Sequence, residues 1–170
     1  MAATAPRAHP RRMTRDRIAL VALVAQLLAV LWLAPASVLH APFEPTSLAT
    51  FSTFAVTLWL LASRLAGFAG LDRLVLAVFL AGMQIIYAWA AIQHGGRGDL
   101  GVEALGLVAF AGLALAGYAR WRWLIGIAII AHGVAWDAWH HGRSSYIPDW
   151  YSAGCLVTDL GVGVFALLRR

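Results

Sequence analysis

The sequence predicts an all-α fold: a polytopic bundle of six membrane-spanning helices with both termini cytoplasmic. Three observations predict it. Apolar residues make up 61% of the 170-residue chain and charged residues only 12%, half the roughly 25% of a soluble domain. The apolar residues fall in six runs, each close to the ~20 residues that cross a ~30 Å hydrocarbon core. The arginines lie between the runs or at their ends, and every permanent cation is an arginine, because the chain has no lysine.

Residues 1–16 read as a disordered basic N-terminal segment, and residues 17–170 as one six-helix membrane domain. The first helix is expected at about 17–34, behind Arg7, Arg11, Arg12, Arg15 and Arg17 and closed by Pro35. A basic flank before an apolar run resembles a signal peptide. The run continues to Leu33, however, beyond the roughly 7–15 residues of a signal h-region, so it is expected to be retained. A loop with Pro35, Pro42 and Pro45 leads to the second helix, about 47–65. A turn bracketed by Gly67 and Gly70 leads to the third, about 72–93, which stops at His94-Gly95-Gly96. The fourth, about 101–119, meets the fifth, about 122–141, across a short turn at Arg120. Pro148 suits the first turn of the sixth, about 149–168.

With six spans the termini share a side. Arg7, Arg11, Arg12, Arg15, Arg17, Arg64, Arg73, Arg120, Arg122, Arg169 and Arg170 collect there, against Arg97 and Arg143 opposite. The positive-inside rule makes the richer side cytoplasmic. The histidines sort the other way: His40, His94, His140 and His141 fall toward the outer side, with only His9 inside. A multi-pass protein of a bacterial inner membrane is the expectation, and the Ala-, Gly- and Arg-rich composition agrees with it. The expected partners are the lipid bilayer and either a second copy or another membrane protein. Arginines at helix ends form no nucleic-acid patch. Without lysine there is no retinal Schiff base. One cysteine excludes thiol–disulfide exchange through an internal pair.

The stretch from Ala131 to Gly163 concentrates what chemistry the chain has: His132, Asp137, His140, His141, Cys155 and Asp159. Ionisable groups within a membrane span are functional suspects by default. His132 lies nine residues before His141, and Asp159 ten after Asp149. At 1.5 Å per residue both sit roughly 14 Å below their outer helix ends, near the midplane. Sequential antiparallel helices touch, so His132 and Asp159 are expected to pair. Gln84 and Gln26 reach similar depth on helices three and one. At 100° per residue, Asp137 falls at 140° from His132 but between His140 and His141. On helix six, Ser152, Cys155 and Asp159 form one stripe.

Imidazoles and carboxylates converging this way suit a divalent metal, zinc above all. The expected ligands are His132, Asp137, His140, His141 and Asp159, with Glu103 nearby. Asp137 and Asp159 are the expected catalytic residues of a metal-assisted hydrolase for a lipid-like substrate. Two other classes stay open: a non-enzymatic subunit or assembly protein whose polar cluster is structural, and a carrier for a metal ion or small solute. The His132-x4-Asp137 spacing matches the H-x4-D of glycerolipid acyltransferases, but lies within a span with the two side chains turned apart. Haem is not expected, because His132 has no histidine partner at its depth. The S-x3-H and H-x3-H arrangement of seven-helix membrane metal hydrolases is absent.

The run HGVAWDAWHH, followed by Cys155-x3-Asp159, resembles the C-terminal signature of a family of small bacterial integral membrane proteins. The resemblance covers about the last forty residues. It carries no activity. It implies only that His132, Asp137, His140, His141, Cys155 and Asp159 belong to one constellation.

Overall fold

A computed structural model describes residues 10–34, 45–65 and 71–168. Six helical rods account for nearly all of them, with no strand among the described residues. They are α1 (Pro10–Leu33), α2 (Pro45–Leu65), α3 (Asp72–His94), α4 (Arg97–Ala119), α5 and α6 (Asp149–Leu168). The rod α5 has three pieces: an α-helix Arg122–Ala131, a π-helical segment His132–Asp137, and a last α turn Ala138–His140. Its backbone stays right-handed helical through both junctions. α1 and α2 open on proline, whose fixed φ and missing N–H suit a first helical position. α1 therefore begins earlier than the expected 17, and residues 10–16, expected to be disordered, are helical.

α4 also begins earlier than expected, at Arg97 rather than 101. Gly96 is extended there, and its N–H donates to Asp99 Oδ2 at 2.7 Å. That contact satisfies one of the backbone donors a helix start leaves open. α5 ends on Gly142, the one residue with positive φ (70°) among those described. A glycine takes that conformation without the penalty of a Cβ. The Gly142 N–H then donates to Asp149 Oδ1 at 2.7 Å, tying the end of α5 to the start of α6.

Three helices, α3, α4 and α6, are long and apolar enough to cross a membrane, with mean hydropathy 2.1, 1.9 and 1.6. α1 and α2 contain shorter apolar stretches, Arg17–Leu33 and Thr46–Leu61. The bundle closes by α1 on α6, α6 on α5, α5 on α4, α4 on α3 and α3 on α2. Its outer faces stay apolar: Val108 is 75% exposed and Leu105 73%. Exposed apolar faces of this kind mark surfaces that meet lipid or another protein.

The interior is layered. One apolar cluster gathers Leu23, Leu60, Leu80, Ile125, Val162 and Phe165. A second gathers Tyr87, Ala90, Tyr146, Ile147 and Tyr151 toward the α5–α6 loop. Between and beside them lie fully buried polar side chains: Gln26, Thr57, Gln84, Glu103, His132, Asp137, His140 and Asp159. α5 and α6 approach closely because Gly133 has no side chain. A Cβ there would lie 2.8 Å from Asp159 Cβ. Small residues at a helix contact let polar partners meet across it.

Candidate functional site

His132 and Asp159 meet as the depth count expects. His132 Nδ1 lies 2.8 Å from Asp159 Oδ2, and both side chains are fully buried. Asp137 joins them, with its Oδ1 3.5 Å from the same Nδ1. This corrects the 140° separation read from an ideal helix. The reason is the π segment. Ala138 N–H bonds Gly133 O, five residues back, and that register stacks residues five apart on one face instead of turning them aside. His132 and Asp137 are five apart.

Three ligand atoms, one each from His132, Asp137 and Asp159, lie within 4.8 Å of one another. Tyr87 Oη donates to Asp137 Oδ1 at 2.6 Å. The remaining carboxylate oxygens, Asp137 Oδ2 and Asp159 Oδ1, are buried with no hydrogen-bond partner. A buried carboxylate oxygen without a partner is costly. Two such carboxylates beside one histidine suit a cation or a shared proton.

Gln84 connects this group to a second one. Its Nε2 donates to Glu103 Oε2 at 2.8 Å, and its Oε1 faces His132 Nε2 at 3.1 Å. Glu103 otherwise accepts from Trp136 Nε1–H at 3.3 Å and Tyr146 Oη–H at 2.5 Å, and faces His140 Nε2 at 2.7 Å. An acceptor-rich carboxylate turns the amide nitrogen of Gln84 toward itself. The amide oxygen must then face His132, so His132 Nε2 carries a hydrogen. That leaves Nδ1 for the two aspartates. A histidine that donates one ring N–H to a carbonyl and presents the other nitrogen to carboxylates has the arrangement of a metal ligand.

The donor set fits a divalent metal. With ligand bonds of about 2.0–2.2 Å, neighbouring donors on tetrahedral zinc stand about 3.3 Å apart. The 3.5 Å between His132 and Asp137 matches. The 2.8 Å to Asp159 is a hydrogen bond with one proton held between Nδ1 and Oδ2; an ion would take that proton's place and open the contact by about 0.5 Å. Three protein ligands leave a fourth position for water or substrate.

The other expected ligands lie elsewhere. His140 is buried, but it belongs to the Glu103 group, with its Nδ1–H donating to Trp136 O at 2.9 Å. His141 is exposed at the end of α5, beside Ser152 Oγ at 3.2 Å and Asp149 O at 3.3 Å. It is not brought to the other histidines, because the helix ends at His140 and the chain turns away at Gly142. Gln26 is buried against Thr57 and Thr158, at 3.2 and 3.4 Å, and is not bonded to His132. His94 is exposed, while His9, His40 and Glu44 lie outside the described residues.

Comparison with known proteins is silent. No protein-family model, no curated protein and no solved structure matches this chain. The resemblance read at the C-terminus thus finds no support there, and the site has to be argued from its own geometry.

Two residues carry more than the sequence disclosed. Glu103, expected only as a neighbour, is the hub of the second group. An α4 starting at 101 would put it in an exposed first turn, whereas the start at Arg97 places it nearly two turns in. Tyr87 had no signal beyond its place three residues after Gln84. Outside the helices, Tyr146 sits in the α5–α6 loop, where burial and then its bond to Glu103 push its phenol well above the ordinary tyrosine range. It stays a protonated donor to Glu103 across the physiological range.

Proposed function

We propose that the chain is a multi-pass inner-membrane protein holding a divalent metal, zinc by preference, at His132, Asp137 and Asp159, and hydrolysing a lipid-like substrate there. The observation that carries this reading is the convergence of three buried ligand atoms, one each from His132, Asp137 and Asp159, in a group whose other carboxylate oxygens, Asp137 Oδ2 and Asp159 Oδ1, have no hydrogen-bond partner. A bound metal would supply Lewis acidity and a water of lowered pKa. The residues have separate tasks. His132 presents Nδ1 because Gln84 holds its Nε2–H. Tyr87 fixes Asp137 by donating to Oδ1, the oxygen 3.5 Å from His132 Nδ1, and leaves Oδ2 without a hydrogen-bond partner. Asp137 and Asp159 would hold the ion with His132, and one of the two carboxylates would take a proton from the water that adds to the substrate and return it to the leaving group as its bond breaks.

The proposed topology keeps six spans and cytoplasmic termini. It is supported by the distribution of arginines, eleven against two, and by three helices long and apolar enough to span. The active end would then face the outer side.

A second reading, a structural polar cluster in a non-enzymatic subunit, has one observation in its favour. Glu103 has four hydrogen-bond partners and is wholly buried, as a locking network would be. The test is hydrolysis of fluorogenic long-chain acyl esters and amides by the protein in lipid nanodiscs. The proposal expects product release that a chelator stops, that zinc restores, and that Asp137→Asn and Asp159→Asn lack. Release unchanged in both variants would overturn it.

A further inference from the structure

A groove of about 520 Å3 runs along the flank of the bundle between α2 and α3, floored by Tyr151, Cys155 and Thr158 of α6. Its polarity is graded. α3 lines it from Leu74 to Ile86 with apolar residues and Gly82 only. Every polar group comes from Ser52 and Thr53 on α2 or from the floor. At 1.5 Å per residue the α3 wall is about 18 Å long, slightly more than half of a ~30 Å hydrocarbon core. Its volume lies inside the ~300–1,000 Å3 range of ligand sites, and a single alkyl chain, much narrower than a ~10 Å helix, can follow its length.

The polar floor is one tier of side chains from the candidate centre. Tyr151 and Cys155 pack with Tyr87, the rings of Tyr87 and Tyr151 standing 5.9 Å apart, and Tyr87 Oη bonds Asp137. We infer that this groove seats the hydrocarbon tail of a long-chain acyl lipid, with the lipid's polar head at Tyr151 and Cys155 beside the His132–Asp137–Asp159 centre. The inference rests on the reading of that centre as lipid-processing, and it names the substrate class: a lipid with one long saturated-type chain entering from the side.

Gly82 gives the means to test it. A Cβ at this position meets nothing within 4 Å, so Gly82→Leu fills the groove without displacing the bundle. The probe is palmitic acid carrying a mid-chain diazirine, photolysed with the protein in lipid nanodiscs, with metal content read on the same samples. The expected result is labelling concentrated in residues 74–86, displaced by unlabelled palmitate, and lowered about tenfold in Gly82→Leu because overfilling opposes the chain. Metal content should not change in that variant. Labelling of the exposed α4 face around Val108 and Leu115 equal to that of the groove would mean only general lipid contact and would overturn the inference. So would unchanged labelling in Gly82→Leu. If the labelling behaves as expected and no metal is found in either protein, the groove stands and the metal reading fails.

Discussion

At the scale of single residues, the site is a set of obligations that its members meet for one another. His132 and Asp159 were legible in the sequence because each is the only ionisable residue at its depth on its own helix, and depth follows from counting residues. The direct 2.8 Å contact makes that count good. Replacing either one alone leaves the other buried without its partner. His132→Leu or Asp159→Leu should each cost about 1–3 kcal/mol of stability. If the contact is structural, His132→Leu with Asp159→Leu should recover much of that loss in a double-mutant cycle of thermal unfolding in detergent. Strictly additive losses would show that the two side chains do not couple. Gln84 is a positioning residue in the same sense. Gln84→Leu removes the bond that holds His132 Nε2–H and one donor to Glu103. Such a loss of an outer partner lowers metal affinity by about 10–100-fold. Zinc titration of the purified variant measures it, and an affinity equal to wild type would contradict the tautomer argument.

At the scale of elements, what decides the site is where helices start and how they wind. Six helices were legible from the apolar runs, three of them long and apolar enough to cross a membrane. Two local departures from ideal geometry were not. The π segment His132–Asp137 brings Asp137 round to His132, and no periodicity argument at 100° per residue anticipates it. The earlier start of α4 carries Glu103 inward. Both departures are set by backbone hydrogen bonds and by neighbours on other helices, which hydrophobic patterning does not encode. Two glycines make a matched test of this packing. A Cβ on Gly106 would lie 2.5 Å from both Gln84 Nε2 and Trp136 Cζ2, whereas one on Gly82 meets nothing. Gly106→Ala should therefore destabilise by about 1–3 kcal/mol through overpacking. Gly82→Ala should be neutral or stabilising by up to about 1 kcal/mol, since alanine is the better helix former. Equal effects of the two substitutions on the unfolding midpoint would mean that α3, α4 and α5 do not meet as described.

At the scale of the whole molecule, composition disclosed the class and charge disclosed an orientation. An all-helical chain with three helices fit to cross a membrane agrees with the first. The second is a proposal that a C-terminal reporter fusion tests: cytoplasmic reporters should be active and periplasmic ones silent, and the reverse would turn the His132 centre toward the cytoplasm. The site draws on α3, α4, α5 and α6 and the loop before α6, so it forms only when the bundle closes. No single motif in the sequence could announce it. Its central claim is a metal at His132, Asp137 and Asp159, and the most direct measurement is elemental analysis of the purified protein beside His132→Ala. The account predicts about one divalent ion per chain in the wild type and close to none in the variant, with the variant still helical by circular dichroism. Wild-type protein without stoichiometric metal after zinc-supplemented expression, or metal retained in full by His132→Ala, would contradict it.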